Sequence, residues 1–211
     1  DWQLLPWLLP RVKGENGWFK NPLSLLNRFK IMDNLRRSLV PAAGVALLVF
    51  GAAYGLPAAF LAGLILPHIR EILLPSRQAA RTALYHFILL PYEAARLLDA
   101  ALRTLWRMLV SRRRLLEWTT SAQAERMRGD GIAAFWPNAL AAGAMLAATW
   151  AHPLRFAAAL PVAALWLCAP LAAKRLNAPE EAERPLREQQ KALLRDVAAR
   201  TLRFFEDTVT E

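Results

Sequence analysis

Residues 38–67 read SLVPAAGVALLVFGAAYGLPAAFLAGLILP, thirty consecutive positions from Ser38 to Pro67 without one Asp, Glu, Lys or Arg. A helix in water presents a polar face, and this stretch has none. In lipid a charge at mid-depth costs several kcal/mol, so long charge-free runs are the mark of spanning helices. One helix over the whole stretch would be about 45 Å long, against a hydrocarbon core of about 30 Å. Gly55-Leu56-Pro57 divides it, giving a first span at about Leu39–Tyr54 and a return span at about Pro57–Leu74. Pro67 is expected to kink the return span, and Arg70 and Glu71 to lie at its interfacial end.

Two further charge-free runs extend from Gly131 to Leu154 and from Phe156 to Ala173. They give a second hairpin, with spans at about Ile132–Trp150 and Leu154–Ala173 and a turn at His152-Pro153. Pro137 falls in a first helical turn, where its missing N–H is harmless, whereas Pro161 and Pro170 are expected to bend their helix. The fold class is all-α: a polytopic membrane protein of two transmembrane hairpins (four spans) with cytoplasmic interfacial amphipathic helices. The chain divides into an interfacial amino end (1–37), hairpin 1 (38–74), an amphipathic region (75–130), hairpin 2 (131–174) and a second amphipathic arm (175–211).

The chain is 55% hydrophobic yet carries a net charge of +10, because the two properties are segregated. Arg and Lys cluster at 28–37, 70–81, 103–128 and 174–203, beside or between the apolar runs. The positive-inside rule then puts both hairpin turns outside and residues 1–37, 75–130 and 174–211 in the cytoplasm, both ends included. No nucleic-acid-binding motif accompanies the charge, so a nucleic-acid partner is not expected. The lone Cys168 excludes a disulfide framework within one chain. The abrupt opening at Asp1-Trp2-Gln3 and the stop at Thr210-Glu211 lead us to expect a piece of a longer protein.

From Ala94 to Trp118 apolar residues recur at Leu98, Leu102, Leu105, Leu109 and Leu116, with Arg96, Arg103, Arg107 and Arg114 opposite. This predicts an amphipathic helix on the inner membrane surface, with Trp106 and Trp118 as anchors. Thr82–Tyr92 leads into it as an interfacial or re-entrant element ended by Pro91. Trp136 and Trp150 occupy opposite ends of one span, where an aromatic belt belongs. Trp166 lies deeper, and Trp2, Trp7 and Trp18 crowd the amino end. In the tail, Leu186, Leu193, Val197, Thr201 and Phe204 form a stripe that needs a cytoplasmic domain or neighbouring helix as partner.

No chemistry-bearing motif is present. His68, His86 and His152 are scattered, with no metal-ligand spacing. Gly129-Asp130-Gly131 lacks the pattern of a phosphate loop. Ser111-Arg112-Arg113-Arg114 reads as a solvated basic face, with an anionic lipid or phosphorylated ligand as the alternative. No catalytic residue, metal site or cofactor is expected within the chain.

Longer matches supply a context. Asp1-Trp2-Gln3-Leu4-Leu5-Pro6-Trp7-Leu8 resembles the sequence that follows the Arg-Trp acceptor motif of cyclic β-1,2-glucan synthases. Lys30-Ile31-Met32-Asp33-Asn34-Leu35-Arg36-Arg37-Ser38-Leu39-Val40-Pro41 resembles the lead into their next membrane helix. Leu90-Pro91-Tyr92-Glu93-Ala94, Arg103-Thr104-Leu105-Trp106-Arg107 and Ser111 to Thr120 are similar in the same order. Ala199-Arg200-Thr201-Leu202-Arg203-Phe204-Phe205-Glu206 resembles the start of the family's glycoamylase-like region.

The resemblance implies a glycosyltransferase domain upstream, and glycoamylase-like and phosphorylase-like domains downstream, in one inner-membrane protein that builds and cyclises β-1,2-glucan from UDP-glucose. It implies inverting transfer, with a carboxylate base and Mg2+ or Mn2+ in the parent transferase and none bound by this segment. The carboxylates and the Arg-Trp element itself lie outside this chain. Only Asp1, Trp2 and Gln3 carry over, Trp2 and Gln3 as positioning residues for the growing glucan. The segment would anchor the transferase and contribute to the glucan exit path, inactive by itself, with membrane lipids and the glucan as partners. A non-enzymatic membrane anchor or assembly subunit with basic cytoplasmic arms is the alternative. A polar lumen shared by the spans would favour a conduit over a plain anchor.

Overall fold

The computed structural model describes residues 2–14, 17–74, 76–113, 120, 131–177 and 187–208. A 3-10 stretch, Trp2–Leu8, opens the chain and is followed by antiparallel strands β1 (Arg11–Gly14) and β2 (Gly17–Lys20), with Val12 opposite Phe19. The sequence reading missed this hairpin, because four-residue strands carry too little alternation to register as a period. Helices make up nearly all the rest.

Helix α1 runs from Leu25 to Tyr54. Ser24 caps its start, accepting the amide N–H of Asn27, and Gly55 ends it in the left-handed region at φ +65°. The helix therefore begins well before the expected Leu39 and passes through Pro41 unbroken. Charge locates the edge of the apolar run, whereas the cap locates the end of the helix.

The return leg is α2 (Pro57–Ile65), a 3-10 turn (Leu66–His68) and α3 (Ile69–Leu73). It lies antiparallel on α1 at unusually close range. A Cβ added at Gly51 would come within 2.5 Å of the Phe60 backbone nitrogen, and one at Gly63 within 2.9 Å of that of Leu48. Small residues permit such backbone approach between membrane helices.

Among the described residues three helices are long and apolar enough to cross a membrane: Leu25–Tyr54, Ile132–Thr149 and Pro153–Leu176. The expected span at Pro57–Leu74 is not among them, being broken into shorter pieces. Pro67 withholds an N–H there, and the helix tightens into the 3-10 turn instead of continuing.

Helix α4 spans Arg77–Trp106 and ends in a π-helical turn, Arg107–Ser111, with Arg112 left-handed at φ +49°. Two expectations are corrected here. Thr82–Tyr92 is no separate re-entrant element, and the amphipathic helix begins at Arg77 rather than Ala94. Pro91 lies inside α4, where it is buried together with Phe87, Ile88, Leu90 and Ala94. Burial of those side chains offsets the roughly 3 kcal/mol that an interior proline costs. The end of the expected helix beyond Arg113, with its Trp118 anchor, lies outside the described residues, as do Asp1 and the Gly129-Asp130 pair.

A 3-10 turn (Ile132–Phe135) leads into α5 (Trp136–Thr149), with Pro137 in the first turn as expected. Helix α6 (Pro153–Leu167) returns, and α7 (Ala169–Leu176) continues it after a break at Cys168, two residues before Pro170. Pro161, by contrast, sits inside an uninterrupted α6. The core between α1, α4, α5 and α6 is filled by Leu48, Phe87, Leu90, Met145, Ala159, Val162 and Trp166.

The turns of the two hairpins meet. Arg155 Nη1 donates to the carbonyl of Ala53 at 3.0 Å, and its guanidinium covers Gly55. A cation thus satisfies a carbonyl in the last turn of α1, where the helix dipole is negative. Arg155→Met should lower stability by about 0.5–1 kcal/mol, read as a small fall in the thermal unfolding midpoint of the detergent-solubilised parent protein.

Residues 177–211 form a second unit, described by itself. Its helix α8 (Glu188–Thr208) exposes Leu193, Leu194, Val197, Leu202, Phe204 and Phe205. Lys191–Glu188 and Arg200–Asp196 pair along it, at 2.8 and 2.6 Å.

Candidate functional site

At the end of the bundle away from the hairpin turns, the amino-terminal stretch lies along the first half of α1. Trp2 Nε1 donates to Ser38 Oγ at 3.0 Å, and that hydroxyl donates to the Leu35 carbonyl at 2.7 Å. Asn21 Nδ2 holds the carbonyls of Trp7 and Leu9, and the Arg28 guanidinium donates to the carbonyl of Leu8. Trp2 is thereby fixed at the first residue of the charge-free run. Gln3 is exposed beside it.

A shallow groove of about 390 Å³ follows, lined by Leu4, Trp7, Leu23, Asn27, Lys30 and Ile31. Sugar recognition requires several hydrogen-bonding groups, and among these side chains only Asn27, Lys30 and the Trp7 N–H carry polar atoms. The groove is therefore poorly matched to a glucan. Further along α1, before the charge-free run, hydrogen bonds from Arg36 and then Arg37 hold the Asp33 carboxyl below the usual carboxylate range.

Helix α4 has two different halves. The first packs into the bundle: Phe87 lies between the His68 and Trp166 rings, at centroid distances of 5.7 and 6.4 Å. The second exposes Leu98, Leu102 and Trp106, with Leu109 and Val110 of the following turn. Those positions lie three to four residues apart on one face. Arg96 stands over the Tyr92 ring at 5.5 Å, and Arg103 pairs with Asp99 at 2.7 Å. The tryptophans expected at interfaces, Trp106, Trp136 and Trp150, are each at least 61% exposed, whereas Trp166 is fully buried.

Asn138 is the residue that the sequence reading overlooked. It is 1% exposed in the first turns of α5, and its Nδ2 donates to the carbonyls of Ile88 in α4 at 2.7 Å and Trp166 in α6 at 3.0 Å. Two carbonyl acceptors can be met only by the amide nitrogen, which fixes the orientation of the group. A signal was available: Asn138 is the only Asn, Asp, Gln or Glu between Gly131 and Ala173. A polar residue in such a run calls for a partner.

No polar lumen opens between the described helices, since apolar side chains fill the space they enclose. Among the described residues no three His, Cys, Asp or Glu side chains gather as metal ligands would.

No family model matches the chain. The cyclic beta-(1,2)-glucan synthase NdvB of Rhizobium meliloti (strain 1021) is 32% identical to it over 245 aligned residues, covering the whole of this chain and 8% of that protein. The chain thus spans a small fraction of that relative's length. With three helices apolar enough to cross a bilayer, it is part of a membrane protein. The match runs from end to end, as the motif resemblance leads one to expect, so the chain is similar along its whole length to one segment of a cyclic beta-(1,2)-glucan synthase.

Proposed function

We propose that this chain is the membrane module of a cyclic β-1,2-glucan synthase, anchoring a UDP-glucose-dependent inverting glycosyltransferase and bordering the path by which the glucan leaves. The observation that carries the reading is the whole-length relation to a glucan synthase, joined to three membrane-length helices. In this reading the module lies in the inner membrane, with the hairpin turns outside and the basic ends in the cytoplasm. The broken leg 57–74 completes a fourth crossing, because its antiparallel packing on α1 returns the chain toward the level of Trp2.

The second half of α4 lies on the inner leaflet. Trp106 sits at headgroup level, and Trp136 and Trp150 mark the two edges of the bilayer. That places the transferase domain above α4, with Trp2 and Gln3 at the acceptor end of its active site. The catalytic carboxylates and the Mg2+ or Mn2+ belong to that domain, and the glycoamylase-like and phosphorylase-like domains follow α8. The packed core bears on the exit path. Glucan would pass along the outer face of these helices, beside helices supplied by the rest of the parent chain.

The test uses inverted membrane vesicles of the full-length parent, supplied with labelled UDP-glucose and Mg2+ or Mn2+. Label should enter cyclic β-1,2-linked product in wild type and be lost when residues 131–176 are deleted. It should fall at least tenfold for Trp2→Ala at normal protein level, each tenfold step corresponding to about 1.4 kcal/mol of transition-state stabilisation. No incorporation by a well-folded wild-type parent, across several sugar nucleotides, would leave the plain anchor.

A further inference from the structure

Two prolines leave carbonyls in want of donors at the base of the bundle. Pro170 has no N–H to reach the carbonyl of Trp166, four residues back. Pro91 likewise cannot serve the carbonyl of Phe87, and its ring crowds that turn of α4. Asn138 meets the first of these carbonyls and bonds into the turn that holds the second. Its Nδ2 donates to Trp166 itself and to Ile88, the carbonyl adjoining Phe87, from a side chain that is 1% exposed. In lipid, freed backbone carbonyls must find such partners inside the protein.

We propose that Asn138 is a positioning residue: its amide ties the prolines' two loosened turns together and so fixes the angle at which α4 leaves the bundle. The bonds join α4, α5 and α6 through a single side chain, so a change at Asn138 reaches all three. Ile88 also packs on Ala169 and Ala172, and such apolar contacts tolerate sliding and rotation more readily than a pair of directed hydrogen bonds. Its meaning for synthesis rests on the reading of α4 as the seat of the transferase. The clasp itself does not.

The test measures geometry, not activity. Nitroxide labels are placed through Leu102→Cys in α4 and Leu160→Cys in α6 of the full-length parent, with Cys168 and other reactive cysteines replaced by Ser. Wild type should give one narrow interlabel distance by pulsed electron resonance. Asn138→Leu should shift or broaden it, and Asn138→Ser, with one donor left, should do so partly. The decisive variant adds Pro170→Ala to Asn138→Leu. An alanine N–H at 170 can serve the Trp166 carbonyl directly but adds no bond to α4, so the distance should stay shifted; recovery would mean that an unmet carbonyl in α6, and not the tie to α4, set the angle. An unchanged distance in Asn138→Leu, or a shifted distance that Pro170→Ala restores, would overturn the proposal. If Asn138→Leu does not fold, the Asn138→Ser pair with and without Pro170→Ala gives the same comparison. Glucan synthesis is assayed separately on these proteins: a displaced α4 with undiminished product would count against the role of α4, not against the clasp.

Discussion

Gly51→Leu should abolish folded protein. The Cβ alone would stand 2.5 Å from the backbone nitrogen of Phe60 and 2.9 Å from its Cα, and backbone cannot step aside as a side-chain tip can. Relief requires α1 and α2 to separate along the length they share. That would also open the contacts at Gly63 with Leu48 and at Gly44 with Pro67. Overpacking of a well-filled core costs about 1–3 kcal/mol, and this is backbone against backbone, so the upper end is the minimum to expect. The measurement is the fraction of full-length parent recovered as a monodisperse peak after detergent extraction. Near-normal recovery would mean that the hairpin tolerates a wider spacing, and that its glycines are incidental.

Asn138→Asp is nearly isosteric and should still be severely damaging. A carboxylate has no hydrogen to give to the Ile88 and Trp166 carbonyls, and it turns negative oxygen toward negative oxygen. The protonated acid supplies one donor where the amide supplies two. Losing partners for buried acceptors costs about 1–3 kcal/mol, and an acidic side chain within a span about as much again. The expected result is a lower unfolding midpoint than Asn138→Leu gives, although the volume change is far smaller. If Asp is tolerated better than Leu, the site is one of packing and not of hydrogen bonding.

Several elements of this protein were legible before any coordinates. The charge-free runs identified membrane helices, and Gly55, Pro137, His152-Pro153 and Pro170 marked turns, starts and breaks that the fold contains. Each works locally: a left-handed residue, a missing N–H or an absent charge constrains its own few neighbours. Pro91 was misread for a different reason. Pro67 and Pro91 carry the same local penalty, yet the helix tightens into a 3-10 turn at Pro67 and runs through Pro91. The difference lies in what surrounds them. Pro91 is flanked by side chains buried against α1, α5 and α6, whose packing holds the helix together across the gap. The candidate site divides in the same way. The exposed Leu98, Leu102 and Leu109 were visible as periodicity, whereas the bond from Trp2 to Ser38 joins residues thirty-six positions apart.

The sequence by itself determined that the chain enters a membrane, where its apolar hairpins turn and which synthase segment it resembles. Those properties depend on the order of residues within short windows, or on likeness along the whole chain. Only the tertiary structure decided that the space between the described helices is filled and not a lumen, and that Asn138 serves the carbonyl left by Pro170 while bonding into the turn around Pro91. Which groups meet across a helix bundle depends on how the faces rotate and pack together. That is settled by all the contacts at once, and no window of sequence contains them.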